Sequence, residues 1–312
     1  MQSSEGQANQ GQACPLCRSR EASKLYDMGQ AEGKAFQTCR CRACQFVYLW
    51  PRPSEAFLRD YYNDAGVHSY NSDVAADYNN QIRDKIALVT DLGRRFPQLP
   101  RAGKAVDFGA GHGATVKAWS DAGFAATGME ISAPARLAAH ALFGVTVVDG
   151  TLDDLAPGSL ALLTMFDVLE HMPEPVDSVR SLHKALMDGG ACLMVVPNYD
   201  SFDRMVRGKA SKALIFPEHV NMFTAKTLRR LFADHGFDVL YVGSPPPYGV
   251  AISIGLRRNL IKWFGRNPFV LGMGTALTWI KRYIVYPLPN AFVERSGYLG
   301  QSLLIVAAKA SR

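Results

Sequence analysis

Short apolar runs alternate with glycine- and proline-marked breaks through the middle of the chain, and their lengths separate strands from helices. Residues 104–108 (KAVDF) form a brief apolar run that meets Gly109-Ala110-Gly111-His112-Gly113. Helical spacing follows over 114–122, then a second strand at 125–129 that stops at Glu130. A helix over 133–142 leads to a third strand at 145–148 and the turn Asp149-Gly150-Thr151. Fourth and fifth strands, 160–166 and 191–196, end in Asp167-Val168-Leu169-Glu170-His171 and in Pro197-Asn198. Downstream, Glu218-His219-Val220-Asn221-Met222-Phe223-Thr224 precedes an amphipathic helix and Gly236, with strands at 238–242 and 302–308. Another apolar-periodic helix is predicted over 82–96. Strands alternating with helices of this length predict βαβ units and a parallel sheet.

The ends of the pattern are different. The first thirteen residues, MQSSEGQANQGQA, are polar and read as a disordered tail rather than a secretory signal. No run approaches the roughly 18 apolar residues of a spanning helix. The longest, residues 268–280, is shorter and carries two glycines. A cytoplasmic protein is the expectation.

Composition adds little until it is mapped. The 312 residues are 48% apolar and 20% charged, with a net charge of +6, as an ordinary globular chain would be. Between 249 and 299, however, Arg257, Arg258, Lys262, Arg266, Lys281, Arg282 and Arg295 face Glu294 alone, so that segment holds the entire excess. Within it, Leu256, Leu260, Trp263 and Phe264 share one helical face while Arg258, Lys262 and Arg266 take the other. That arrangement suits peripheral contact of residues 250–298 with an anionic membrane. A cap over substrate, an oligomer interface and an RNA contact are the competing readings.

Five of six cysteines fall between 14 and 44, and two CxxC pairs stand out: Cys14-Pro15-Leu16-Cys17 and Cys41-Arg42-Ala43-Cys44. Two such knuckles place four thiolates around a structural Zn²⁺ with no open position for catalysis. Cys39 competes with Cys41 as the third ligand. Cys192, in an apolar run, reads as core.

Strand, glycine turn and helix at 104–122 make a nucleotide-type loop, in which backbone N–H groups approach a ligand. Gly109, Gly111 and Ala114 also satisfy the dinucleotide fingerprint, and Glu130 stands where a carboxylate takes a ribose. The segments that follow discriminate. DFGAGHG (107–113), GMEIS (128–132), DVLEH with Pro173, and VPN (196–198), in this order, resemble the class I S-adenosylmethionine-dependent methyltransferases. The branch most similar also carries an N-terminal CPxC…CxxC zinc module followed by a segment like Trp50-Pro51-Arg52-Pro53.

The resemblance implies an α/β fold, a Rossmann-like, seven-stranded doubly wound sheet in the order 3-2-1-4-5-7-6, behind a small zinc ribbon. It divides the chain into a tail (1–12), ribbon (13–53), helical lid or linker (54–100) and catalytic domain (101–312) with an insertion at about 245–299. S-adenosylmethionine is then the cofactor. Asp107 is expected on its ammonium side, where a carboxylate suits a cation, and Gly109, Gly111 and Gly113 against its methionine and ribose portions. Glu130 is expected on the ribose, Ile131, Thr151 and Leu152 around adenine, with Asp167 and the lid residue Tyr70 as further contacts.

Methyl transfer needs alignment of the nucleophile, and an oxygen or carbon acceptor also needs a base. In related sugar methyltransferases the EHvxxF segment supplies it, so the resemblance makes His219 the base with Glu218 orienting it. The Glu170-His171 pair competes for the same role; for His171 a structural or cofactor-covering part is favoured over proton transfer. The implied reaction is methylation of oxygen or carbon on a small metabolite, sugar or glycolipid. RNA methylation and a non-catalytic cofactor-binding scaffold are the alternatives.

Overall fold

The computed structural model describes residues 13–63, 87–244 and 300–310. Two sheets organise them. The larger contains β4 (Lys104–Phe108), β5 (Ala125–Met129), β6 (Val147–Val148), β7 (Leu160–Phe166), β8 (Leu186–Pro197), β10 (Phe237–Gly243) and β11 (Ser302–Lys309). Its strand order is β10-β11-β8-β7-β4-β5-β6. Numbered within the sheet that is 3-2-1-4-5-7-6, the expected order. Strands β4 to β8 pair in parallel, and β11 pairs antiparallel with both β8 and β10.

Helices lie on both faces: α2 (residues 87–95), α3 (Ala114–Asp121), α4 (Ala133–Phe143), α5 (Pro175–Ala185) and α7 (Ala225–Ala233). Central β7, LALLTMF, is buried at six of seven positions. It therefore reads as one continuous apolar run, as a strand covered on both faces must. One core layer gathers Leu163, Met165, Val179 and Leu182 with Phe232. The opposite layer packs Leu92, Trp119 and Phe124 against Leu162 and Leu193.

The smaller sheet is N-terminal: β1 (Ala22–Ala31), β2 (Lys34–Cys41) and β3 (Val47–Trp50), antiparallel throughout. Its fourth strand is β9 (Asn221–Met222), two residues from the heart of the larger unit, with Val47 opposite Met222 and Tyr48 opposite Asn221. Phe46 tilts onto Phe223 with ring centroids 5.3 Å apart, and both rings are fully buried. Helix α1 (Glu55–Asn63) follows the module, and the short α6 (Phe202–Arg207) follows β8.

Candidate active site

Open sheets present their ligand crevice at the carboxyl ends of the parallel strands. Here the edge has two parts. At the ends of β4 and β5, Gly109 adopts φ +75°, and a Cβ there would stand 2.3 Å from Val168 Cγ2, so both conformation and space demand glycine. Gly113, at φ +80°, is the N-cap of α3. The turn is tied to β5 by Gly109 and Ala110 N–H groups on the Met129 carbonyl at 2.8 and 3.0 Å. Glu130 completes it: its carboxylate accepts from Gly111 N–H at 2.9 Å and from Ser132 N–H at 2.8 Å. Asp107 is buried at the end of β4 and accepts the Thr164 hydroxyl at 2.5 Å. Beyond β6, the Thr151 hydroxyl donates to Asp154 at 2.9 Å as a helix cap, and Leu152 is buried.

The second part lies beyond β7. Asp167 takes φ +57°, uncommon for a residue with a side chain, and strain of this kind marks functional turns. A single turn of helix then carries Glu170 and His171. Opposite it, the 211–219 segment brings Glu218 and His219. Between them is a cavity of about 330 Å³ lined by Asp167, Glu170, His171, Glu218 and His219, closed further out by Ser211, Lys212 and Gln301. That volume sits at the small end of the usual range for small-molecule sites.

His171 and His219 meet edge to face, ring centroids 5.0 Å apart. His171 Nδ1 lies 2.9 Å from the Glu218 carbonyl oxygen and 2.9 Å from the Tyr62 hydroxyl. A carbonyl only accepts, so Nδ1 carries the proton and Nε2 keeps the lone pair in the neutral ring. Glu218 turns its carboxylate to the Tyr61 hydroxyl at 2.9 Å rather than to His219, so the orienting role expected of it is not seen in these contacts. His219 Nδ1 is buried with no hydrogen-bond partner, and neither carboxyl oxygen of Glu170 has one.

Burial sets the charge states. Desolvation, then the neighbouring His171, pushes His219 down to about 4, so its ring is neutral at pH 7. Desolvation lowers His171 as well. Glu170 is 1% exposed, and burial, followed by the nearby Asp167, holds its carboxyl well above the usual range. Burial therefore disfavours the charged form of all three side chains.

The N-terminal module packs against the segments that line this cavity. Its four sulfurs, from Cys14, Cys17, Cys41 and Cys44, all lie within 4.8 Å of one another, with Cys14–Cys44 at 3.6 Å and Cys17–Cys41 at 3.5 Å. A tetrahedral zinc with bonds of about 2.3 Å requires edges of about 3.8 Å, so the donor set fits that ion. Cys39 stands outside the group. Tyr61 and Tyr62 arrive on α1, just after the module.

Arg52 also comes from there. Its guanidinium donates to the Val220 carbonyl at 2.6 Å, to Asn221 Oδ1 at 2.9 Å and to the Met172 and Pro173 carbonyls. Burial lowers its pKa to about 10, which leaves it cationic at neutral pH.

The sequence-derived residues thus fall into three groups. Asp107, the three glycines, Glu130, Ile131, Thr151 and Leu152 gather at the β4–β6 edge. His171, Glu218 and His219 meet around the cavity, with Asp167 on its rim. Tyr70 and the basic insertion lie outside the described residues. Tyr61, Tyr62 and Asn221 were not singled out, because their partners are more than forty residues away; only their place in aromatic-rich and EHVNMF segments hinted at them. No helix among the described residues is long and apolar enough to cross a membrane.

Comparisons agree with this geometry. Residues 78–242, over half the chain, match the family described as a methyltransferase domain. Ubiquinone biosynthesis O-methyltransferases are similar over a shorter stretch. That of Idiomarina loihiensis is 33% identical over 95 residues, 28% of this chain and 39% of its own length. That of Pseudomonas aeruginosa is 32% identical over 105 residues, 30% and 44% of the two lengths. The chain thus spans less than half the length of these curated relatives.

Among solved structures, magnesium protoporphyrin IX methyltransferase from Synechocystis PCC 6803 aligns with a TM-score of 0.51 at 14% identity, covering 82% of this chain and all of the other. Phosphoethanolamine N-methyltransferase 2 of Haemonchus contortus gives 0.53 at 15%, covering 85% and 62%. At such identity these two speak to the fold alone. On the strength of the match over 78–242, this chain belongs to the methyltransferase-domain family.

Proposed function

We propose that the protein transfers the methyl group of S-adenosylmethionine to an oxygen or carbon of a small hydroxyl-bearing acceptor such as a sugar, with His219 as general base. The observation that carries the reading is His219, a cavity-lining residue whose buried Nδ1 has no partner, neutral at pH 7 and next to His171, whose own Nδ1 is already engaged. The cavity's volume supports a small acceptor. The names of the ubiquinone-biosynthesis relatives favour oxygen as the acceptor atom.

Bound S-adenosylmethionine supplies an electrophilic methyl carbon. The chain's own groups do the rest. Backbone at 109–113 closes on the methionine and ribose portions, Asp107 faces the ammonium side, and Glu130 exchanges its two N–H partners for ribose hydroxyls. Ile131, Thr151 and Leu152 would border adenine, the Thr151 hydroxyl staying on Asp154, with Asp167 as a further contact. His219 takes the acceptor proton at Nδ1 as the new bond forms. His171 and Glu170 form the wall of the cavity that follows β7. Cys14, Cys17, Cys41 and Cys44 hold a structural zinc. The cationic 245–299 segment covers or recruits the acceptor.

Incubation with methyl-labelled S-adenosylmethionine and a panel of nucleotide sugars, catechols and lipid extracts tests this. Label should enter a small acceptor. His219→Ala should lower that turnover about 10²- to 10⁴-fold, the span of general-base contributions, with cofactor affinity unchanged. Full turnover by His219→Ala would remove the base role.

A further inference from the structure

The two Glu-His segments come from loops forty-seven residues apart and have to be held in register by something. Direct links between them are few: Val220 N–H on the Glu170 carbonyl at 2.9 Å, the His171–Glu218 contact, and Asn221 Nδ2 on the Leu169 and Met172 carbonyls at 3.2 and 2.7 Å. Both loops are also gripped from outside. The Arg52 fork reaches Met172 and Pro173 on the first loop and Val220 and Asn221 on the second. Among the described residues it forms no ion pair; all four of its acceptors are neutral oxygens. A surface arginine normally spends its charge on a carboxylate or on water. This one spends a planar, multi-donor head on backbone oxygens of two loops, a task that a lysine ammonium cannot reproduce.

The grip continues into the cysteine module. Leu49 N–H donates to the same Val220 carbonyl at 3.0 Å, and β9 is the fourth strand of the module's sheet. Val220 is therefore bonded to the module through its carbonyl and to Glu170 through its N–H. Pro51 and Pro53 flank Arg52 and narrow its backbone choices.

We infer that Arg52 is a positioning residue, which locks the Glu170-His171 and Glu218-His219 segments together and so lets the cysteine module set the geometry of the acceptor cavity. This rests on the reading that both segments face the acceptor. It also gives the module a catalytic consequence without a catalytic metal: loss of its sheet would loosen His219 and leave the glycine turn intact.

The test uses the full-length zinc-loaded protein saturated with S-adenosylhomocysteine, so no acceptor is required. Three quantities are read in the parent, Arg52→Lys and Arg52→Met: amide exchange at Val220, the side-chain ¹⁵N resonances and titration of His171 and His219, and S-adenosylhomocysteine affinity by calorimetry. In Arg52→Met, Val220 exchange should rise at least about tenfold, as expected for local opening. Both histidine signals should move, affinity should stay within about threefold, and Arg52→Lys should recover part of the change. Unchanged Val220 exchange and unchanged histidine titration in a folded Arg52→Met chain would overturn the inference, as would an affinity loss in proportion to the exchange. Should Arg52→Met fail to fold, Arg52→Gln, which keeps a planar head with fewer N–H donors, decides by the same criteria. A fully active His219→Ala enzyme would sink the base reading yet leave these signals as predicted, so the two failures are separable.

Discussion

The cofactor edge and the acceptor edge of this sheet are assembled by opposite means. At the first, Gly111 meets Glu130 nineteen residues on, Gly109 and Ala110 meet Met129 over a similar span, and only Asp107 reaches further, to Thr164. Backbone groups do most of the work, and the single β4–α3–β5 unit contains nearly all of them. At the second, contacts span 109 residues from Tyr62 to His171, 157 from Tyr61 to Glu218 and 169 from Arg52 to Asn221. Side chains do the work, and three chain segments must dock before the cavity exists. The lesson is that one edge is a local motif and the other a tertiary assembly. The two should therefore fail separately.

The largest effect is expected from the cysteine module. Chelating the zinc expected at Cys14, Cys17, Cys41 and Cys44 should remove a folding contribution on the order of 10 kcal/mol for a four-thiolate site. The account expects residues 13–50 to lose structure and Val220 protection to collapse, with S-adenosylhomocysteine affinity within about fivefold of the parent. Hydrogen exchange read beside calorimetry checks this; equal loss at both edges would break the contrast.

Glu130→Ala is the mirror experiment. It removes the carboxylate expected on the ribose and should cost about 10- to 100-fold in S-adenosylhomocysteine affinity, the worth of about one hydrogen bond to a charged group at roughly 1.5–3 kcal/mol. Val220 exchange should stay where it was. A calorimetric titration showing parental affinity would contradict the assignment of this edge.

A smaller effect sharpens the electrostatic part. The Glu170 carboxyl is raised in the folded chain by burial. Relative to an unfolded chain that ionises near pH 4.5, the folded state therefore loses stability as pH rises above that value, because it holds a proton the unfolded state releases. Glu170→Gln removes this loss. Its melting temperature should match the parent near pH 4 and exceed it increasingly towards pH 8. A parent that outlasts the variant at pH 8 would mean that the carboxyl is ionised and compensated.

The contrast also decides what could be read from the residues. The strands β4, β5 and β7 were legible because buried parallel strands are unbroken apolar runs, and the glycine turn because its spacing is fixed by its own backbone. Strand β8 begins at Leu186, five residues before the expected 191, because Asp188, Gly189 and Gly190 interrupt the apolar run yet continue the strand. Strand β9 was invisible: two residues have no period, and Asn221 and Met222 are a strand only because Tyr48 and Val47 lie opposite. Thr151 shows a different limit. Its position after the third strand was right, but only coordinates reveal that its hydroxyl is spent on Asp154. His219 was legible as a histidine beside a glutamate. Its missing Nδ1 partner was not, since that depends on where every neighbouring donor ends up.

A structure of the zinc-loaded protein with S-adenosylhomocysteine bound tests the central claim most directly. The account predicts ribose hydroxyls on the Glu130 carboxylate and the sulfur opening onto the cavity between His171 and His219. A ligand whose sulfur points away from that cavity, or that binds without touching Glu130, would contradict it.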